Sequence, residues 1–407
     1  MQKVPKVVLL IESSRASGRA LLRGVANYTH HHQPWSFYWQ PRGLETTHGG
    51  LKDLDADGVI FRDVGGLKAE VLRLGIPAVI IGHASSEVRG LINVVTDSTE
   101  IAHMAADHLL QCGFHHFAFF GYAVEPCSSP GERLKQTPWS QLRLEAFSRH
   151  VTEAGFSPPA VCVLPGWEPD WPRIGDQLAD WLSKLPTPLG VMACNDDCAV
   201  QVIEACKLAG LAVPDTVGIV GADNDEVVCG LADPPLTSVA LNFERAGYEA
   251  AEVLEKLMRR SKPQSVNINV QATHLVARRS TDVVAVEDQR LAKALRFIRN
   301  NVNRPILVDE VAKAAGASRR VLERRFREGL GRSVLHEIRR VRANEIARLL
   351  VETNWPVGRI ADALGFEDDR HFSRYFYSVK NLSPVAFRKK HGTHSTSPEA
   401  ENGGFLT

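Results

Sequence analysis

"IADALGFEDDRHFSRYF", residues 360–376, is the stretch on which the reading of this chain turns. Ile360, Ala361 and Leu364 recur at helical spacing, Gly365 interrupts them, and Phe372 and Phe376 restart the pattern one turn apart. The spacing predicts a helix, a glycine turn and a second helix. Glu367, Asp368 and Asp369 stand at the mouth of that second helix, where acids can cap free amides and suit the positive end of the dipole.

The stretch repeats an earlier one. "VDEVAKAAGASRRVLERRFREGLGRS" (308–333) lies over "VGRIADALGFEDDRHFSRYFYSVKNLS" (357–383). Ala312 and Gly316 fall on Ala361 and Gly365 at a shift of 49, whereas Leu322, Phe326 and Ser333 fall on Phe372, Phe376 and Ser383 at a shift of 50. The second turn is therefore one residue longer. Between the units, "LHEIRRVRANEIARLLVET" (335–353) sets Leu335, Ile338, Val341, Ile346, Leu349 and Leu350 on one face, which predicts a long joining helix.

Helical geometry assigns faces. With Leu322 and Phe326 turned inward, Arg320 and Arg324 point away from the core at roughly 160° and 200°, and Arg370 and Arg374 do the same on the second unit. Ser318 stands at the first helix mouth, and Glu323, Arg327, Ser373 and Tyr377 flank the arginines. An arginine fork can bond bidentately to the O6 and N7 edge of guanine in a major groove. Arg319, Arg325, Arg339 and Arg388 face elsewhere and suit phosphates or helix packing. Charge agrees with a polyanion partner: residues 287–391 hold 23 Lys and Arg against 13 Asp and Glu, a net of +10, while the rest of the chain carries −9.

Upstream the pattern changes. "KVVLLIE" (6–12), "GVIFRD" (58–63), "PAVIIG" (77–82), "INVVTD" (92–97), "HFAFFGY" (116–122), "LGVMAC" (189–194) and "VGIVGAD" (217–223) read as buried strands separated by amphipathic helices such as "STEIAHMAADHLLQCG" (98–113). Continuous apolar strands alternating with helices imply parallel sheets covered on both faces, and seven or more strands imply two α/β lobes. The expected organisation is a two-lobed α/β domain at 1–275, a linker at 276–290, a DNA-binding domain at 291–391 with helix-turn-helix units at about 308–328 and 357–378, and a disordered tail at 392–407.

Several functions are disfavoured. The N-terminal apolar run, VVLLI, has five residues before a glutamate, too few for a membrane span or a signal peptide. The seven cysteines all lie in the acidic part and read as reduced thiols of a cytoplasmic protein. "CNDDC" (194–198) lacks a second pair at a zinc spacing, so no metal is expected, and no catalytic residue or cofactor is assigned. An exported carrier would need an export signal and would have no use for the C-terminal repeat. An enzyme would need a phosphate loop, an HExxH motif or a supported nucleophile, and none is found.

The C-terminal block resembles the DNA-binding domain of the AraC family of bacterial regulators, on "IADALGFEDDRHFSRYFYSVKNLSPVAFRKKH" (360–391). Asn381 departs from the family's usual glycine, but asparagine tolerates the left-handed conformation. The acidic part is similar to the sugar-binding domain of LacI/GalR regulators and periplasmic sugar-binding proteins, on "VVTDSTEIAHMAADHLLQCGFHHFAFFG" (94–121), "QLRLEAF" (141–147), "VMACNDDCAVQVIEACKLAGLAVPDTVGIVGADNDE" (191–226) and "PPLTSVALNFERAGYEAAEVL" (234–254). The resemblance implies a two-lobed α/β domain of periplasmic-binding-protein type followed by an all-α domain of two helix-turn-helix units. It implies a sugar-responsive, DNA-binding regulator that activates sugar-use genes as a homodimer, reads a direct repeat in double-stranded DNA, and takes a small sugar effector, D-xylose first among pentoses. It places ligand contacts at Arg15, Arg143, Asn195, Asp196, Asp223 and Asn224, with Trp139 to cover the sugar's apolar face.

Overall fold

In lobe one, Val7, Leu9 and Ile11 belong to one hydrophobic cluster and Val8 and Leu10 to another. Successive side chains of a strand point to opposite faces, so a run that is apolar at every position is covered on both sides. The computed structural model describes residues 4–39, 55–62, 67–82, 91–125, 135–136, 138–165, 171–259, 267–282 and 288–392; the expected tail, apart from Gly392, and residues 283–287 of the expected linker lie outside these.

The chain divides into two compact units with a boundary after Val283. The first unit contains two sheets. One has six strands in the order Asn267–Val270, Ile92–Thr96, Ala78–Ile81, Gly58–Arg62, Lys6–Leu10, Ser36–Trp39, and every pairing is parallel. The other runs Ala272–Val276, Thr237–Leu241, Val217–Asp223, Leu189–Ala193, His116–Glu125, with Ala160–Pro165 and Lys135–Gln136 both pairing with the last. Its two antiparallel members are Ala272–Val276 and Lys135–Gln136.

The chain passes between the lobes near Asp97, Asn242 and Gln271. These crossings are tied together: the Asp97 N–H donates to Val270 O at 3.0 Å, the Asn242 N–H donates to Gln271 O at 3.0 Å, and Asn242 Oδ1 caps the next helix through Arg245 N. In lobe one the helices Ala16–His31 and Phe243–Met258 meet backbone to backbone. A Cβ on Gly24 would lie 2.0 Å from Glu244 O, and one on Gly247 would lie 2.1 Å from Leu21 O, so only glycine permits this approach.

The linker does not begin at 276. Ala272–Val276 completes the second sheet, and the short 3₁₀ turn Arg279–Thr281 follows with Ser280 and Thr281 buried. Ser280 Oγ donates to Ile219 O at 2.7 Å, which binds this segment to the central strands. Residues 276–282 are therefore part of the first unit.

The second unit is helical: Gln289–Asn300, Val308–Ala314, Arg319–Leu330, Val334–Glu352, Val357–Ala363, Asp369–Lys380 and Pro384–His391. The sequence repeat is carried into the caps. Ser318 and Asp368 accept at the starts of the two second helices, Gly331 and Asn381 end them at φ 64° and 54°, and Ser333 and Ser383 cap the helices that follow. Leu322 and Phe326 anchor one core, Phe372 and Phe376 the other. Leu335, expected inward, is 44% exposed; its neighbour Val334 is buried instead. A one-residue phase error turns a side chain by about 100°, enough to carry it from core to solvent.

Candidate functional sites

The first site forms where strand ends of the two lobes converge. A cavity of about 150 Å³ is lined by Glu12, Arg62, Gly82 and Thr96 from lobe one and by Asn195, Asp196 and Asp223 from lobe two, all at or just past the carboxyl ends of parallel strands. Such ends are where open α/β sheets bind ligands. Arg15, Ser17, Trp139, Arg143, Asp197, Asp225 and Phe243 complete the polar and aromatic lining.

Arg143 lies across its floor. It projects from helix Pro138–Glu153, is 2% exposed, donates through Nη1 to Cys194 O, and sets Nη2 3.6 Å from Asp223 Oδ1. Its guanidinium carbon stands 4.8 Å from the Trp139 ring centre, a cation–π arrangement that fixes both groups. Contacts also cross between the lobes: Arg15 Nη2 lies 3.1 Å from Asp197 Oδ1, Ala16 N–H donates to Asp225 Oδ2 at 2.8 Å, and Arg19 Nη2 lies 3.8 Å from Asp225 Oδ1. On lobe one, Arg62 Nε pairs with Glu12 Oε2 at 2.8 Å.

The carboxyls are not equivalent. Burial, reinforced by Asp223, pushes Asp196 up to about 8, against the opposing pull of Ser238 and the Asp225 N–H. The shift favours the neutral form of Asp196 relative to an ordinary carboxyl. Burial also raises Asp223, with Arg143 and Arg62 drawing it back. Asp197 is raised by burial, which Arg15 partly offsets. The result is a pocket of acceptors and donors that can serve paired hydroxyls.

Of the seven residues expected at a ligand, six line this cavity and one does not. Asn224 is absent from the lining; its Oδ1 accepts from Arg278 Nη2 at 2.8 Å. Asn195 lines the cavity while its side chain caps helix Asp196–Leu208 through Cys198 N at 3.0 Å. Sequence reasoning missed Glu12, Arg62, Asp197 and Asp225. A signal existed, since each is a polar residue at or shortly after a buried strand or beside one already chosen. Cys194 and Cys198 are free thiols with sulfurs 3.1 Å apart, and no cluster suited to a metal occurs among the described residues.

The second site is the exposed face of the helical unit. Arg320, Arg324 and Arg327 on helix Arg319–Leu330, and Arg370 and Arg374 on helix Asp369–Lys380, are all exposed. Arg324 lies 4.0 Å from Glu328; the other four enter no ion pair among the described residues. Arg319 pairs with Asp309 at 3.6 Å, Arg325 with Asp288, and Arg388 Nε donates to Leu350 O at 3.1 Å, so these serve the domain's own packing. Ser318 Oγ accepts from Val321 N at 3.4 Å, Ser373 is half-buried, and Glu323 has one carboxylate oxygen shielded without a partner. Asp368 accepts from His371 N at 2.6 Å, and this bond holds its carboxyl below the usual range.

A two-lobed cleft followed by paired helix-turn-helix units, together with the likeness to known sugar-operon regulators, makes the chain a sugar-responsive, DNA-binding transcriptional regulator. The family models agree: a periplasmic binding protein-like domain matches residues 106–281 and a helix-turn-helix domain matches residues 311–390. The chain is similar to the xylose operon regulatory protein of Escherichia coli K12, at 27% identity over 94% of this chain and 96% of that one. The protein of the same name from Haemophilus influenzae is 25% identical over 94% of this chain and 98% of its own length. A solved structure of a xylose-binding transcription activator, xylR, superposes with a TM-score of 0.58 at 27% identity, covering 96% of this chain and 99% of that one. These relatives are regulators, not enzymes. Among the described residues no helix is long and apolar enough to cross a membrane.

Proposed function

We propose that the chain is a cytoplasmic, D-xylose-responsive activator of sugar-use genes, acting as a homodimer on a direct-repeat operator. The observation that carries the effector half is the Arg143–Asp223–Trp139 group at the floor of the interlobe cavity. The carboxylate of Asp223 can accept from one hydroxyl while the guanidinium of Arg143 donates to the next, and the indole face covers C–H surface. The cavity volume of about 150 Å³ admits on the order of ten water-sized groups, which suits a monosaccharide. Glu12, Asp196, Asp197, Asp223 and Asp225 stand with Arg15, Arg62 and Arg143 in the lining, a set of paired acceptors and donors that suits a neutral polyol. The names of the relatives, a xylose operon regulator and a xylose-binding activator, direct the choice among neutral sugars to D-xylose.

A sugar held by both lobes favours the closed cleft through its differential affinity for that form. On the DNA side, Arg320, Arg324, Arg370 and Arg374 are the base-reading groups of two helices that enter successive major grooves. Thermal unfolding against a panel of pentoses, hexoses, sugar acids and sugar phosphates tests the effector: D-xylose is expected to raise Tm with a concentration dependence. Stabilisation by none of them removes the effector reading. A mobility-shift titration on DNA from upstream of the chain's own gene tests the regulator half. Salt-insensitive binding, or none, removes it.

A further inference from the structure

Asp223 and Asn224 are consecutive residues at positive φ, 98° and 51°. Two adjacent side-chain-bearing residues adopt that conformation only where the surroundings overdetermine it. Asp223 faces the cavity and Arg143. Asn224 is held from the other side: its N–H donates to Ser238 Oγ at 3.0 Å, and its Oδ1 accepts from Arg278 Nη2 at 2.8 Å. Ser238 Oγ itself lies 2.5 Å from Oδ1 of Asp196, in the cavity wall.

Arg278 is held through the rest of its guanidinium and through its backbone as well. Nη1 donates to Leu236 O at 2.8 Å, its N–H donates to Thr237 Oγ1 at 2.8 Å, and its carbonyl accepts from the same hydroxyl at 3.0 Å. It immediately precedes the 3₁₀ turn Arg279–Thr281, and the unit ends at Val283. One side chain thus joins the strained turn that presents Asp223 to the segment by which the chain leaves the effector domain.

We propose that Arg278 is the positioning residue that couples the effector cavity to the DNA-binding half. Through Asn224 it holds the Asp223–Asn224 turn, and a ligand engaging Asp223 shifts the turn, the Arg278 side chain and the exit segment together. This rests on the reading of the cavity as a sugar site. Coupling of this kind requires an element whose equilibrium both sites bias, and a turn of two strained residues with partners on both sides is such an element.

The test uses the full-length chain, D-xylose as probe and DNA from upstream of its own gene. D-xylose affinity is measured by calorimetry, and DNA affinity with and without saturating D-xylose. In the wild type the sugar is expected to change DNA affinity roughly 5- to 150-fold. In Asn224→Ala and Arg278→Ala the ratio is expected to fall below about 2-fold while D-xylose still binds. The double variant is expected to lose no more than either single one, because both remove the same link. Asn224→Ala leaves the other bonds of Arg278 in place, so the test survives if Arg278→Ala fails to fold. Variants that keep the wild-type ratio, or an Asn224→Ala chain that no longer binds D-xylose, overturn the inference. A wild type blind to D-xylose overturns the effector reading and this inference with it; a responsive wild type with unchanged variants overturns this inference alone.

Discussion

Replacing Glu337 by glutamine isolates the one fully buried acid among the described residues of the helical unit. Glu337 lies in the first turn of the long joining helix and has no solvent exposure. Arg332, just past the end of the first recognition helix, donates through Nε to Oε2 at 2.7 Å, and Arg340 donates to both oxygens at 2.9 and 2.7 Å. Burial by itself would raise this carboxyl, but the two guanidiniums bring it from 4.5 down to about 2. The drop of some 2.5 units corresponds to about 3 kcal/mol at neutral pH, in line with the roughly 3–5 kcal/mol cost of breaking a buried pair by removing one partner. Glu337→Gln should therefore lose about 3 kcal/mol of protection in amide hydrogen exchange across residues 334–352 at pH 7, and should weaken DNA binding because the end of the first recognition helix is no longer pinned. The sign with pH follows from the depressed carboxyl. Its contribution is present above the unfolded value of 4.5 and is lost as pH falls through the folded value of about 2. Urea titrations should thus show a constant gap between wild type and variant from pH 7 to pH 5, narrowing below that. A gap under about 1 kcal/mol at pH 7, or one that does not narrow in acid, would refute the reasoning.

Asp196→Asn imitates the protonated acid; since the folded-state value is raised to about 8, the wild type should lose stability relative to this variant as pH rises from about 4 to 8, read as Tm across that range, and D-xylose binding should survive. Gly24→Ala places a Cβ 2.0 Å from Glu244 O; it should cost roughly 3 kcal/mol, at the upper end of overpacking effects, and lower the Tm of the first unit, and a variant of wild-type Tm would mean that the two helices separate freely. Arg374→Ala should relax preference at one base position by about 1–3 kcal/mol in a binding-site selection; equal weakening on all sequences would assign Arg374 to a phosphate instead.

The helical unit was legible because its signals are local. Apolar spacing, Gly316, Gly365 and the capping positions at Ser333 and Ser383 each act within a few residues, and helices at this scale form from such short-range terms. The exposed arginines followed from the same periodicity. The sheets were less legible at their margins. Ser36–Trp39, Ala160–Pro165, Asn267–Val270 and Ala272–Val276 were not expected, being edge strands whose mixed exposure weakens the apolar run that marked the central ones. Thr237–Leu241 was not expected either, although it is an interior strand, because its Thr and Ser interrupt the apolar run.

The sequence by itself determined two α/β lobes, a repeated helix-turn-helix block with arginine on its outer faces, and polar residues at the ends of buried strands. Each of these depends on chain-local periodicity or composition. Tertiary structure decided which strand ends share a cavity, because Glu12, Arg62, Asp197 and Asp225 converge only through the register of two separate sheets. It also decided charge and role. Asp196 reads as an ordinary acid in the chain but is raised to about 8 in the fold, since burial and Asp223 outweigh its hydrogen bonds. Asn224, adjacent to a cavity residue in sequence, turns to Arg278, 54 residues away. Neither its partner nor its direction is encoded within reach of its neighbours, for both depend on strands brought together only on folding.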